Sequence, residues 1–254
     1  MLPDQNKFVF VAPFFNASKT VHRMLSSIAA QSHTNWRVIL IDDVSNYDES
    51  AKLAQIVQDF NVICQRNEIG SFSDGLPITL IKNTEKKWEV ENVLRGIHMC
   101  EDNDIICRID ADDYLVDSDA LTIIDSAYRE SGCDVLWSMH RWGMSDRNIS
   151  AALPSGVDPY KYQWVSSHLK TWRKYLSNDI ADENYKNQDG VYVRRAGDQA
   201  VYLPVLYKAK KRAFLPRALY HYNIEENGGA VYQTDDAKFQ RDEAVFLRER
   251  GFVK

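Results

Sequence analysis

The sequence predicts an α/β fold: a mainly parallel sheet flanked by helices, with a Rossmann-like first half and a less regular C-terminal part. Three observations lead there. Short apolar runs alternate with helix-period segments as far as Met139. Acidic residues follow several of these runs abruptly. After Arg141 the rhythm breaks into a stretch containing two prolines, two glycines and several aromatics, "RWGMSDRNISAALPSGVDPYKYQW". Strands separated by amphipathic helices imply right-handed βαβ crossovers and a sheet covered on both faces.

Each element has its own signal. "FVFVA" (Phe8–Ala12) is an apolar strand, and Val21, Leu25 and Ile28 share one face of the helix that follows. "WRVILI" (Trp36–Ile41) is a second strand that stops at Asp42–Asp43. Leu53, Ile56, Val57 and Phe60 recur at helical spacing before a third strand, "ITLI" (Ile78–Ile81). Val90, Val93, Leu94 and Ile97 mark the next helix, and "IICRI" (Ile105–Ile109) is a fourth strand. A helix over Ala120–Tyr128 and a strand "DVLWSM" (Asp134–Met139) complete the alternation. Helical patterns return at Leu169–Leu176, Gln199–Lys210 and Ala237–Arg250. No internal repeat or flexible linker divides the 254 residues, so one domain spans 1–254, with a regular first half over about 7–140 and a less regular second half over about 141–254.

Bulk properties exclude several classes. Net charge is −5, which does not indicate a general nucleic-acid-binding surface. The basic clusters Arg194–Arg195 and Lys208–Arg212 read as solvated helix faces. No apolar run approaches the ~18 residues of a membrane span, and "MLPDQNKF" has no signal-peptide pattern. The four cysteines, Cys64, Cys100, Cys107 and Cys133, form no C-x-x-C pair and read as reduced thiols. The expected location is cytoplasmic. Neither G-x-G-x-x-G nor a P-loop occurs.

"RIDADDYL" delivers Asp110, Asp112 and Asp113 to one strand end. Clustered carboxylates repel unless a cation neutralises them, and Mg²⁺ or Mn²⁺ prefers oxygen ligands completed by phosphate and water. An Asp-x-Asp there suits a nucleotide diphosphate carried as its metal complex. The alternative is a helix cap and turn, where Asp is also favoured. In open α/β sheets ligands bind beyond the carboxyl ends of the strands, where these residues fall.

The segment "VAPFFNASKTVHRMLSSIAAQSHTNWRVILIDDVSNYDES" resembles the N-terminal signature of family-2 glycosyltransferases, an inverting group with a GT-A fold. The shared elements are the strand running into Pro13, Phe15 and Asn16, the helix with Leu25, Ser27 and Ile28, then Gln31 and Asp42–Asp43–x–Ser45. "RIDADDYL" resembles the family's D-x-D motif. The resemblance covers residues 7–140 and includes a non-processive subset with viral members. It implies a nucleotide-sugar pocket shaped by Pro13, Phe15, Asn16 and Asn83, with Asp42 or Asp43 on the base or ribose. Asp110 would sit near the ribose and the metal, Asp112 would ligate the metal directly, and Asp113 would cap the next turn or hold a supporting bond. Glu85 stands where the family usually has glycine, and an Arg–Asn pair in the next helix is absent, which leaves the nucleobase open.

Inverting transfer needs a carboxylate to take the acceptor proton. "RRAGDQAVYLPVLYKA" resembles the family's acidic segment, and Asp198 matches the catalytic base. Asp198 also suits a helix N-cap. Asp189 is the other candidate base, although "DG" reads as a turn. "WVSSHLKTWRKYL" resembles a Ser–His–Leu–x–Thr segment of some members, which would bring His168 near the donor sugar or metal. Trp172 is either core or an acceptor platform. His221 in "LYHYN" is a further metal or diphosphate ligand by the same resemblance. The implied enzyme is a metal-dependent inverting glycosyltransferase using Mn²⁺ or Mg²⁺, a nucleotide-diphosphate sugar (UDP-linked) and a glycan or glycoconjugate acceptor. A sugar nucleotidyltransferase lacks its Gly-rich N-terminal loop here, and a non-catalytic module would not need every acidic motif.

Overall fold

The computed structural model describes residues 5–71, 75–145, 147–224 and 235–254. The first four residues of "MLPDQNKF" and Asp146 of the long irregular stretch lie outside the described residues. Strands β1 (Phe8–Phe14), β2 (Trp36–Asp42), β3 (Ile78–Lys82) and β4 (Ile105–Arg108) alternate with helices α1 (Ser18–Ala29), α2 (Tyr47–Asn67) and α3 (Trp88–Ile97). β5 (Tyr114–Leu115), α4 (Ala120–Ser131) and β6 (Val135–Trp142) follow. The C-terminal part adds β7 (Lys170–Arg173), α5 (Gly197–Lys208), β8 (Arg212–Tyr222) and α6 (Asp235–Arg250).

All eight strands join one sheet in the order β3-β2-β1-β4-β7-β6-β8-β5. β1 pairs in parallel with β2 and β4, β2 with β3, and β6 with β8. The expected mainly parallel sheet is therefore present, and the C-terminal part contributes strands to it. β7 enters antiparallel between β4 and β6. The β6–β8 register slips near Ser138–Met139, where β8 passes from Leu215 to Ala218. Pro216 lies in the skipped pair, where its missing N–H removes no ladder bond.

Alternation along the central strands sorts side chains into two layers. Phe8, Phe10, Ala12 and Phe14 pack with Val38, Leu40, Cys107 and the inner faces of α1 and α4, while Val9, Val11, Ile39, Ile41 and Ile106 pack with Val90, Val93 and Ile97 of α3 and with α5. Both faces are covered, so these strands carry few polar residues until they reach the rim.

The structure corrects one element. Leu169–Leu176 is not a helix: Lys170–Arg173 is a strand, followed by a short 3₁₀ turn at Lys174–Ser177. Leu169 packs in the first layer and Trp172 in the second. A spacing of three puts two residues on one side of a helix but on opposite faces of a strand. Apolar residues were needed on both sides of a fully buried strand, and their spacing imitates a helical face. Among the described residues no helix is long and apolar enough to cross a membrane.

Candidate active site

The carboxyl ends of β1, β2 and β4 meet at one rim. Asp42 ends β2 and turns inward, where its Oδ1 accepts from the N–H of Ser45 at 3.0 Å. Asp43 is the member of that pair that faces a cavity. Its carboxylate accepts from the N–H groups of Lys87 (2.8 Å) and Trp88 (2.9 Å) and from Asn83 Nδ2 (2.9 Å), and Lys86 Nζ lies at 3.3 Å. Burial alone would raise the Asp43 carboxyl, but the Lys87 and Asn83 donors and the Lys86 charge outweigh it and hold it below its ordinary value. Asp43 thereby fixes the first turn of α3.

Asn16 braces the same rim. It adopts φ 51°, takes Ser45 Oγ on its N–H at 3.0 Å and offers Oδ1 to the Asn46 N–H at 3.0 Å. Asn tolerates this left-handed conformation better than most residues. Phe15 is exposed, with Lys86 Nζ 3.1 Å from its ring centroid.

A cavity of about 550 Å³ opens above this rim, lined among others by Pro13, Phe15, Asp43, Glu89, Arg108 and Asp110. Arg194 and Arg195 line it as well, with their guanidinium carbons 5.2 and 5.4 Å from the Trp88 ring. That pair is therefore not simply a solvated helix face. Asn16, Asp42 and Asn83 support the cavity from behind.

Arg108, 3% exposed, ends β4 and donates to Asp110 Oδ1 at 2.7 Å, to Glu89 Oε1 at 2.8 Å and to its neighbour's carbonyl, Ile109 O. Neither Arg108 nor Glu89 stood out in the sequence. Within an apolar strand such as "IICRI", the signal was a lone arginine, which a buried position tolerates only with carboxylate partners. The Glu89 carboxylate rests against Gly197, where an added Cβ would lie 2.4 Å from Glu89 Cδ. Burial, opposed by Arg108 and reinforced by Asp198 and Asp110, pushes the Glu89 carboxyl up to about 7.

Within the D-x-D turn, Asp110 and Asp112 are half-buried and Asp113 is buried. Asp113 accepts from Tyr220 O–H at 2.6 Å and from the Asn223 N–H at 2.8 Å, tying the turn to β8. Burial, with Asp110 and Asp112 adding repulsion, raises its carboxyl well above the usual range. His221 lies on β8 directly opposite Tyr114, and their rings stack at 4.4 Å. Asp110, Asp113 and His168 offer ligand atoms within 4.8 Å of one another. The carboxylate oxygens of this turn are the hard donors that Mn²⁺ or Mg²⁺ prefers.

Asp198, in the first turn of α5, lines a second cavity of about 240 Å³ with His140, Trp142, Trp164, His168 and Tyr222. It does not cap α5 through its side chain, and just ahead of the helix the Glu243 carboxylate of α6 accepts from the N–H groups of Arg194, Arg195 and Ala196. Lys170 Nζ lies 2.7 Å from Asp198 Oδ1. Burial opposes ionisation of Asp198, but Lys170, His168 and Arg108 together hold its carboxyl well below the usual range. Asp189 sits in an exposed turn and lines neither cavity, and Trp172 is buried in the core with its Nε1 donating to Ser177 Oγ at 2.9 Å. Gln240 of α6 lines both cavities, so they adjoin.

A mostly parallel sheet with helices on both faces and acidic side chains at its carboxyl edge is the GT-A architecture of glycosyltransferases. The chain belongs to glycosyl transferase family 2, whose model matches residues 9–151. Among solved structures, residues 1–349 of TarS from S. aureus align with a TM-score of 0.61 and 18% identity, covering 96% of this chain and 71% of that one. The chain spans 41% of the longer TarS structure. A mannosyltransferase from Pyrobaculum calidifontis, in complex with GDP-Man and Mn²⁺, aligns with a TM-score of 0.62 and 10% identity over 96% of this chain and 64% of that one. TarS 1–349 in complex with UDP-GlcNAc aligns with a TM-score of 0.58 and 18% identity over 85% of this chain and 58% of that one. No curated protein matches the chain in sequence. These identities establish a shared fold.

Proposed function

We propose that the protein is a metal-dependent inverting glycosyltransferase that moves a sugar from a UDP-sugar to a hydroxyl of a glycan or glycoconjugate. The observation that carries this reading is the adjacency of the two cavities: Asp43 and Asp110 line one, Asp198 lines the other, and Gln240 joins them. The TarS complex with UDP-GlcNAc supports a uridine donor, and the mannosyltransferase complex supports Mn²⁺.

In this reading Pro13, Phe15, Asn16, Asp42, Asp43 and Asn83 form and brace the nucleoside end of the pocket. Asp112 and Asp110 would hold the metal, with His221, paired across the sheet from the residue after Asp113, as the further ligand. Bound there, it would supply positive charge that offsets the charge on the departing diphosphate. Asp198 faces the sugar from the side away from the diphosphate and takes the acceptor proton. The acceptor oxygen bonds to the anomeric carbon as the C–O bond to phosphate breaks, and that electron pair leaves with the nucleoside diphosphate. A base held far below pH 7 by Lys170 is always ionised, so the proton reaches it only as the new bond makes the acceptor oxygen acidic. Four buried, unpaired cysteines suit a reducing, cytoplasmic setting.

Screening nucleotide sugars for Mn²⁺-dependent binding and turnover tests the reading. Asp112→Ala is expected to abolish metal-dependent turnover, and Asp198→Asn to lower kcat by about 10²-fold or more with donor binding retained. Unchanged metal dependence in the first variant, or near-normal transfer in the second, would overturn the corresponding assignment.

A further inference from the structure

His168 is the side chain that this arrangement leaves without a role, and its surroundings define one. Lys170, 1% exposed on β7, places Nζ 3.2 Å from His168 Nδ1 as well as 2.7 Å from Asp198 Oδ1. An ammonium has three donors and no acceptor, so the short contact requires Nδ1 to offer its lone pair. The proton of the neutral ring then resides on Nε2. The ring is kept neutral: burial, and next the Lys170 charge, push its pKa down to about 3.

The ring plane is fixed too. His168 stacks on Tyr220 (4.8 Å, 10°) and on Tyr222 (5.3 Å, 27°), two residues apart on one face of β8, and His140 meets it edge-on at 5.8 Å. His168 Nε2 lies 3.7 Å from Asp198 Oδ2. That is too long for a direct hydrogen bond, yet one oxygen can lie about 2.8 Å from both atoms. Such an oxygen would accept from Nε2–H and donate to Asp198. Those are the two bonds of a hydroxyl group.

We propose that Lys170 fixes His168 as its Nε2–H tautomer, so that His168 and Asp198 grip the acceptor hydroxyl between a donor and an acceptor, and that His168 is not a metal ligand. The inference rests on the reading of Asp198 as the base. His168 touches the reacting oxygen, whereas Lys170 is a positioning residue. With Nδ1 facing an ammonium and Nε2 protonated, neither nitrogen has a lone pair for a cation, although the ring lies within ligand distance of Asp110 and Asp113. During transfer the hydroxyl proton passes to Asp198, while Lys170 and His168 keep theirs.

Long-range ¹H–¹⁵N correlation spectra of the intact protein, with the His168 signals assigned through His168→Gln, read the tautomer directly. Nε2–H at neutral pH is expected, and an Nδ1–H ring would overturn the proposal. This measurement needs neither metal nor donor, so it stands apart from the assignment of Asp198. Mn²⁺ affinity in the presence of UDP, followed by electron paramagnetic resonance, is expected to agree within about twofold between wild type and His168→Gln. A tenfold weakening would make His168 a ligand and overturn the proposal. Absence of Mn²⁺–UDP binding in the wild type would instead sink the proposed function. Glycerol, used as a small polyol, is expected to shift the His168 Nε2 resonance but not those of exposed His22 and His98; no selective shift would overturn the hydroxyl site. Lys170→Met is expected to lose the single tautomer, and one that keeps Nε2–H alone removes Lys170 from the account. If that variant does not fold, the wild-type spectrum still decides.

Discussion

Single side chains at this site are defined by what opposes them. Glu89 is a carboxyl held between Arg108 and a glycine, with two further carboxyls in range, and it retains its proton up to about pH 7. Its folded value lies above the ordinary 4.5, so the folded state binds the proton more tightly than the unfolded chain. Stability from this group is present below pH 4.5 and is lost as pH rises towards 7. Glu89→Gln, neutral throughout, is expected to gain stability relative to wild type across that window, by up to about 3 kcal/mol, and then to level off. Denaturant unfolding at several pH values checks this; a constant difference between the two proteins would contradict it. Little of this was legible in the sequence. The aspartates announced themselves by clustering at strand ends, whereas Glu89, Arg108 and Lys170 are single charges inside helix or strand patterns. Their meaning arises from partners distant in the chain: Arg108 from Glu89, and Lys170 from Asp198.

At the scale of elements, pattern and structure agree best along the parallel strands of the first half and the helices between them. β1, β2 and β4 fall where their apolar runs fall, because parallel strands buried on both sides leave no polar alternation to blur them. β7 failed for the same reason that it exists, since a spacing of three serves two layers as well as one helix. β8 was not anticipated either: "RAFLPRALYHY" carries a proline and two arginines, yet it pairs with β6 on one side and β5 on the other. The contact of α3 with β1 is close enough to test. An added Cβ at Gly96 would lie 2.4 Å from Val11 Cγ1, deep between the sheet and the helix. Gly96→Ala is expected to destabilise the protein by about 1–3 kcal/mol through overpacking. Adding Val11→Ala should recover part of that loss in thermal unfolding, whereas simple additivity would show that the two sites do not clash.

Across the whole molecule, both halves of the chain contribute strands to one sheet. α6 supplies Gln240 to both cavities and Glu243 to the segment before α5, so a helix that follows every other described element in sequence also shapes the site. The central position of β7 has a consequence for how the chain is made. Synthesis delivers β4 and β6 long before residue 170 appears, yet the gap between them is filled only by Lys170–Arg173. A chain without these residues would leave β4 and β6 each with an unpaired edge, the kind of surface on which chains stick to one another. The stretch that carries the family signature, residues 9–151, ends inside this interval. A chain stopped at residue 151 is expected to aggregate or to unfold without a cooperative transition, and one extended past Arg173 to gain solubility. Fractionating a series of truncations would show whether the step falls at the arrival of β7. The strand that joins the two sides of the sheet is thus a keystone set late, since neither β4 nor β6 has its full set of partners without it.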